Sequence, residues 1–335
     1  MMQSFGFKVV PAEGDSVGVP VSVAGQTMVD IQTLITDIGS MMVRQELRIQ
    51  NNTPAGLLAK FDLRIGGSSA NGLGADAPKG SGQLLEDVMG LLGRTLDFLG
   101  KGVVGEWMTD NFPNPVCRRI IAADLVKLHD DLKGFVLEYG VEGNMRRFSK
   151  MDVEKIASFA KDDDMGIEGM VIGAISRDPV RRNKWNVTND GNPRPISFTN
   201  NIDSKTIPGF ASMGAALIHG TIVRNDDLSV REVRNAGNCF PFPEIKFHRM
   251  ISADSDLVLL NPITAKVSYD HAKGLWNLKE DNLGIDESKT SWDECVTAFH
   301  EYFMFLWDTY ADNDKEFAGE EKEVREFLLS LVPIV

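Results

Sequence analysis

Hydrophobic and polar residues recur along the chain with spacings that differ from one part of it to the next. Apolar residues are three or four positions apart in residues 31–42 and 84–99, which is the spacing of helices with one buried face. They alternate in short runs across residues 168–247, and from residue 263 two further alternating runs precede a long apolar helix. The pattern predicts an α+β protein with a helix-rich N-terminal part, a β-rich middle and a C-terminal ββα unit.

The N-terminal part, residues 1–148, is predicted to form a domain of helices with a few short strands. Besides the two long helices, a third is predicted to begin at Asn114-Pro115, where a capping side chain precedes a proline in the first helical position. Gly134 is a suitable residue for the end of that helix. Alternating residues at the start of the chain predict a strand.

The middle of the chain, residues 149–262, contains one motif twice. The pattern V-x-N-x-G-N occurs at residues 187–192 and again at 233–238, and matching apolar runs lie on both sides of each copy. We therefore predict a three-strand unit that is used twice, in copies 168–198 and 215–247. The two copies are expected to form a meander of antiparallel strands, either as one six-stranded barrel or as two small barrels.

The last part, residues 263–335, reads as strand, strand and helix. After the second strand come Leu283-Gly284-Ile285 and then residues 290–295, T-S-W-D-E-C. This order resembles HicB-like antitoxin domains, in which a hairpin and a turn precede a helix that starts T-x-x-E-A. The resemblance covers about 70 residues. The turn lacks the family's proline and Cys295 replaces the alanine.

The resemblance implies a degraded RNase H-like fold that binds a partner and does not catalyse a reaction. It also implies a prokaryotic protein of a toxin-antitoxin or defence locus. No functional residue carries over to this chain. The final helix is apolar around most of its circumference, so we expect it to be buried on several sides and the protein to self-associate.

Composition limits the classes of function. The 335 residues suggest more than one domain, and 43% of them are hydrophobic, which is enough for a sizeable core. Lys and Arg number 35 against 48 Asp and Glu, so the net charge of −13 argues against broad nucleic-acid binding. No apolar run approaches the ~18 residues of a membrane span, and three widely spaced cysteines fit a reducing compartment, so we predict a cytoplasmic protein.

One segment has the opposite charge. From residue 177 to residue 194 there are five basic residues against two aspartates, a net +3 around a tryptophan. Guanidinium and ammonium groups beside an exposed indole are suited to a phosphate, a nucleotide or an acidic protein surface. The alternative is a solvated hairpin tip with the tryptophan facing the core. The candidate residues for anion or partner binding are Arg177, Arg181, Arg182, Lys184, Trp185 and Arg194.

The chain contains no motif for catalysis, for a metal or for a cofactor. We predict no metal and no cofactor, and the lack of a catalytic motif favours a protein that is not an enzyme without deciding the question. The favoured interpretation is a non-catalytic binding or regulatory protein with a protein partner or a small anionic ligand. The alternative is an enzyme or nucleotide sensor whose site lies between the glycine-rich loop Gly66–Gly82 and the segment Arg177–Arg194. That loop lacks the lysine of a phosphate-binding loop, which favours a flexible connection.

Overall fold

The structure, a computed structural model, describes residues 5–12, 18–51, 53–65, 74–76, 82–101, 104–141, 143–148, 150–160, 166–225, 227–313 and 315–332. The chain forms two compact units. The first comprises Met1–Met42 and Leu58–Asp162, and the second comprises Val43–Leu57 and Asp163–Val335. The predicted α+β class, with a helix-rich N-terminal part, is confirmed.

The first unit combines an antiparallel sheet with long helices. The sheet has the order β2-β3-β1-β4-β5, formed by β1 (Phe5–Val10), β2 (Arg64–Ile65), β3 (Gly74–Asp76), β4 (Val136–Val141) and β5 (Asn144–Phe148). The helices are α1 (Val21–Glu46), α3 (Gly82–Lys101), α4 (Val104–Asn111), α5 (Pro115–Leu132) and α6 (Val153–Phe159). A short helix, α2 (Ala55–Leu58), follows α1 and belongs mostly to the second unit, and a 3₁₀ turn (Ala59–Phe61) follows it in the first.

The helices form where the apolar spacing and the capping residues predict them. The apolar stripes of α1 and α3 are buried, including Ile31, Leu34, Leu84 and Leu92. Asn114 caps α5, since its side-chain oxygen accepts a hydrogen bond from the backbone N–H of Val116 at 3.0 Å. No helix in the described ranges is both long enough and apolar enough to cross a membrane.

The first part of the second unit is a closed five-stranded barrel. Its strands are β6 (Ile167–Arg177), β7 (Trp185–Thr188), β8 (Pro193–Phe198), β9 (Ala215–Arg224) and β10 (Val230–Pro241). Around the barrel the order is β10-β8-β7-β6-β9, and a short helix, α7 (Ile207–Ala211), lies between β8 and β9 in the chain. Every pair is antiparallel except β8 and β10, which run parallel and close the ring.

The repeated motif produces equivalent hairpins. In the first copy Ile175 pairs with Val187, and in the second the corresponding Ile222 pairs with Val233. The matched glycines of β6 and β9 are both crowded by the opposite strand. A Cβ at Gly173 would clash with the Val187 side chain, and one at Gly220 would lie 2.8 Å from the backbone oxygen of Arg234. Close approach of two strands therefore accounts for these glycines.

The third strand of each copy follows a different path, which corrects the prediction of two identical three-strand units. In the first copy Gly191 has φ +80° and the chain turns there into β8. In the second copy Asn235 has φ +49° and lies in a bulge of β10, which continues to Pro241. The next strand, β11 (Glu244–Ile251), leaves the barrel, so five strands close it and the six-stranded alternative is wrong.

A second antiparallel sheet completes this unit, with the order β11-β12-β13-β14. Its other strands are β12 (Asp256–Asp270), β13 (Leu275–Glu280) and β14 (Ile285–Lys289). The predicted domain boundary between residues 262 and 263 falls inside β12. Because β11 pairs along β12, the predicted middle and C-terminal domains are parts of one unit.

Helix α8 (Trp292–Leu306) packs on this sheet, and a π-helical turn (Trp307–Ala311) and helix α9 (Glu320–Leu331) follow it. Trp292, Phe299 and Phe303 are fully buried, as expected for the core of this part. Tyr302 and Phe305 are 39% and 59% exposed, so the helix is not buried all round. Cys117, Cys239 and Cys295 are all buried, and none of the three forms a disulfide.

Candidate functional site

The basic segment lines a groove at one end of the barrel. The groove has a volume of about 800 Å³ and is bordered by the β6–β7 loop (residues 178–184), by β7 and β8, by residues 199–207 and by the start of β10. Of the six predicted residues, Arg177, Arg181, Arg182, Lys184 and Trp185 line it. Arg194 is not among the described residues that do.

The β6–β7 loop is held in shape by Asp178, which is buried at its base. One carboxylate oxygen accepts hydrogen bonds from the backbone N–H groups of Val180 and Arg181, at 2.9 and 2.8 Å. The backbone N–H of Asp178 donates to the carbonyl of Lys184 at 3.0 Å. The bond from the Arg181 backbone, followed by that from Val180, holds the pKa of Asp178 below its usual range. The loop is therefore ordered before any ligand binds.

The cations of the segment differ in their partners. The Arg181 guanidinium lies 3.2 Å from the Asp178 carboxylate, and that of Arg194 lies 2.9 Å from Asp190. Arg182 and Lys184 are exposed, and neither has an ion pair within the described part of the chain. The positive charge that an incoming anion meets therefore comes chiefly from these two side chains.

Trp185 is half-buried, which falls between the two predicted alternatives. The indole packs against the hydrophobic core of the barrel. The guanidinium carbon of Arg177 lies 5.1 Å from its ring centroid, within the range of a cation–π contact. Phe198 also lines the groove and packs against Phe210, with 5.9 Å between ring centroids. The groove thus offers aromatic and guanidinium surfaces beside its free cations.

The acidic residues in the groove wall do not cancel this charge. Asp178 is paired with Arg181, and Glu232 lies 2.5 Å from the guanidinium of Arg234 on β10. Arg177, Arg182 and Lys184 remain, and each is exposed. The groove is therefore locally positive on a chain whose net charge is −13.

Several residues of the groove were missed from the sequence. Asn186 and Ser197 come from β7 and β8, Asn200 from the segment after β8, and Glu232 from β10. Asn186 follows Trp185 directly, and its polar side chain between two apolar residues was an available signal. Glu232 and Val233 reach the groove through the parallel pairing of β8 with β10, which local spacing does not reveal.

The alternative site would lie between the segment Arg177–Arg194 and the glycine-rich loop, and most of that loop lies outside the described residues. Of the loop Gly66–Gly82, only residues 74–76 and Gly82 are described. Within the described ranges, no three His, Cys, Asp or Glu side chains converge as metal ligands would. The groove on the barrel is therefore the candidate site.

The chain matches no family model, and no curated protein or solved structure matches it.

Proposed function

We propose that the barrel binds single-stranded nucleic acid in the groove beneath the β6–β7 loop, without catalysis. One observation carries the proposal: the exposed cations and aromatic surfaces lie on the second and third strands of the barrel and on its first loop. In the OB fold, a five-stranded barrel, the ligand also binds on the second and third strands and the adjoining loops.

The connectivity supports that comparison. Numbered from β6, the strands follow each other round the ring as first, second, third, fifth and fourth, with a helix between the third and the fourth. This is the Greek-key connectivity of the OB fold, which binds oligonucleotides or oligosaccharides on its second and third strands and the adjoining loops. Fold alone does not establish function, so the side chains must select the ligand.

The side chains favour an anionic ligand with planar groups. Proteins bind single strands through cations that contact the phosphates and through aromatic or guanidinium surfaces that stack on bases. Arg182 and Lys184 supply the first kind of group, and Trp185 with Arg177, and Phe198, supply the second. A neutral oligosaccharide would leave the two free cations without a partner.

The charge of the whole chain supports a single strand over a duplex. A duplex carries one phosphate charge per ~1.7 Å of its axis and requires a broad basic surface. Here the net charge is −13, and the positive region is confined to one groove. The proposal is therefore compatible with the expectation, made from composition, that broad nucleic-acid binding is disfavoured.

The opposite loop of the barrel, between β9 and β10, is engaged elsewhere in the same unit. The Arg224 guanidinium donates to the carbonyl of Leu228 at 2.7 Å and also to that of Gln50. The Asn225 amide donates to the Ser229 hydroxyl at 2.8 Å. Because these groups are satisfied internally, we place the ligand on the side of the β6–β7 loop.

The test is fluorescence anisotropy with a labelled single strand of about 12 nucleotides, a length within the range of known barrel sites. Arg182→Ala with Lys184→Ala should weaken binding by about tenfold or more at low salt and reduce the slope of log affinity against log salt by about 1–2. The melting temperature should stay constant because both side chains are exposed on a loop.

The matched control is Lys246→Ala with Lys273→Ala, which removes the same charge from β11 and from the turn between β12 and β13 in the same unit. It should leave affinity within about twofold, since long-range effects of exposed charges are screened. Duplex DNA, heparin and ATP serve as competitors. The proposal fails if the single strand does not bind, if both double variants weaken it equally, or if heparin or ATP competes better than an unlabelled single strand.

A further inference from the structure

We infer that the groove also binds helix α9 of a second copy of this chain, through a row of glutamates on that helix. This acidic stripe consists of Glu320, Glu323 and Glu326. The contact uses the cations of the groove and does not depend on nucleic-acid binding, because its occupant is protein. Only the competition between the second copy and a single strand rests on the proposed function.

The acidic stripe is exposed along α9. Its glutamates are three positions apart, so consecutive members are neighbours on the helix surface, with about 5–6 Å between their Cβ atoms. All three are exposed. Leu329 continues the same spacing and is 40% exposed. The helix therefore presents a row of carboxylates that ends in an apolar side chain.

Neighbouring basic residues do not neutralise this charge. From residue 308 to residue 326 the sequence has eight acidic residues and three basic ones. The Arg325 guanidinium donates to the backbone carbonyl of Asn313 at 2.7 Å, and Lys322 lies 3.6 Å from Glu326 on the exposed surface. The other two glutamates of the stripe have no ion pair in the part of the chain that the structure describes. The surface is therefore strongly negative.

The β6–β7 loop presents the complementary groups. Arg182 and Lys184 are exposed without an ion pair in the described ranges, and Val180 at the tip of the same loop is 87% exposed. An exposed valine adds nothing to a phosphate contact, whereas it suits an apolar side chain such as Leu329 on a protein partner. Two cations and a valine thus match a row of carboxylates that ends in a leucine.

The helix that enters the groove must come from another molecule. Helix α9 packs on β12 and on the π-helical turn, and none of its residues lines the groove. Both surfaces belong to the same compact unit, so one folded chain cannot bring its own stripe to its own groove. Each contact therefore joins two different surfaces of two chains, which makes it heterologous.

Sedimentation velocity of the free protein across micromolar concentrations tests the contact. The wild type should associate, with a mass above the 36.9 kDa of one chain. Glu320→Gln with Glu323→Gln and Glu326→Gln keeps the side-chain shapes and removes three charges, and it should weaken association by about tenfold or more. Arg182→Ala with Lys184→Ala should have the same effect from the side of the groove.

A mixture of these two variants gives the sharpest measurement, because each keeps the surface that the other has lost. The glutamine variant retains the groove, and the alanine variant retains the acidic stripe. The mixture should therefore form pairs of one copy of each, which cannot extend further, while each variant alone stays largely monomeric.

The matched control removes three exposed carboxylates from other elements of the same unit, by Glu244→Gln on β11, Asp286→Asn on β14 and Glu294→Gln on α8. It changes the net charge by the same amount and should leave association within about twofold of the wild type.

Melting temperatures identify any variant that is not folded. If the triple glutamine variant melts early, Glu323→Gln with Glu326→Gln replaces it. That double variant keeps Glu320, the first residue of α9, where a negative charge stabilises a helix.

The outcomes separate this inference from the proposed function. A monomeric wild type, equal weakening by the control, or variants that do not pair in the mixture refutes the contact between α9 and the groove. A single strand of about 12 nucleotides that binds and displaces the second copy supports both proposals. A strand that binds while association stays unchanged refutes the inference alone. Pairing in the mixture without any strand binding refutes the proposed function and supports the inference.

Discussion

At the scale of single residues, the first unit contains two carboxyl groups that share one environment. Asp37 on α1 and Asp124 on α5 are hydrogen-bonded to each other. Burial, then the hydrogen bond and the charge of Asp37, raise the pKa of Asp124 to about 8, and burial also raises that of Asp37. Asp30 adds negative charge nearby, and Lys127 offsets it in part. The pair therefore holds a proton at neutral pH.

This pair makes stability depend on pH in a direction opposite to that of an ordinary salt-bridged aspartate. The pKa of Asp124 is raised in the folded state, so the stability it contributes is fully present below its ordinary pKa of 3.8 and is lost as pH rises through about 8. Asp124→Asn should remove this loss and stabilise the protein by about 1–2 kcal/mol at pH 8, after allowance for partial exposure.

Urea unfolding of wild type and Asp124→Asn at pH 5, 7 and 9 measures the difference. Asp131→Asn is the control, since the hydrogen bond from Lys127 lowers the pKa of Asp131 and the substitution should give no gain at high pH. Parallel pH profiles for wild type and Asp124→Asn would show that the pair does not share a proton.

At the scale of elements, the two hairpins of the repeat tolerate different changes at equivalent glycines. The obstacle near Gly173 is the tip of the Val187 side chain, which can move or be shortened. The obstacles near Gly220 are the backbone oxygen of Arg234, at 2.8 Å from a built Cβ, and the Cα of Ala236 at 3.1 Å. A backbone obstacle can be relieved only if the strand shifts.

We therefore expect Gly220→Ala to lower the free energy of unfolding by about 2–3 kcal/mol. Gly173→Ala should also destabilise the barrel, but combination with Val187→Ala should recover part of the loss, so that the double variant is more stable than the sum of the single effects predicts. Thermal or urea unfolding measures all four proteins.

Gly209→Ala in α7 is the control, since no atom lies within 4 Å of the new Cβ. Its effect should be close to zero or slightly stabilising, because alanine restricts the unfolded chain more than glycine does. Equal losses at residues 209 and 220 would mean that crowding in the barrel does not account for the glycine.

At the scale of the molecule, a short segment after α1 joins two other parts of the second unit, helix α8 and the barrel. The buried carboxylate of Asp293 accepts hydrogen bonds from the backbone N–H groups of Gln50 and Asn51, at 2.7 and 2.8 Å, and from the Asn51 amide at 2.9 Å. The Asn51 side-chain oxygen accepts from the backbone N–H of Val230 on β10 at 3.1 Å. Helix α8, the segment and the barrel are thus connected through two side chains.

Removal of this carboxylate should leave three donors without their acceptor in the interior. We expect Asp293→Ala to destabilise the second unit by about 3–5 kcal/mol, and Asp293→Asn by less, because the amide keeps one acceptor oxygen. Hydrogen exchange followed by mass spectrometry should show faster exchange in residues 48–51 and at the start of β10.

The control is Glu294→Ala, one residue away and exposed on α8, which should leave exchange in both segments unchanged. Protection in residues 48–51 that survives Asp293→Ala would mean that other contacts hold the segment. Self-association and the partner-binding role that the C-terminal resemblance implies stay predictions. Tyr302 and Phe305, the exposed aromatic residues of α8, are the first residues to substitute in a test of self-association through that helix.

Local sequence determined many of the elements and indicated the basic segment that lines the groove. Apolar spacing predicted the buried stripes of α1 and α3, Asn114 predicted the start of α5, and the repeated motif predicted two similar strand units, whose first two strands form equivalent hairpins. The charge of the segment after β6 identified five residues of the groove. These features follow from neighbours in the chain, which is the information that spacing and capping carry.

Tertiary structure alone decided which strands pair and what the groove contains. Alternation shows that a strand has an apolar face but does not identify its partner, so local sequence could not show that β11 pairs with β12 and not with a strand of the barrel. The parallel pairing of β8 with β10 closes the ring and brings Glu232 and Val233 to the groove. Pairings of this kind join residues that are far apart in the sequence, so the spacing of neighbouring residues does not reveal them.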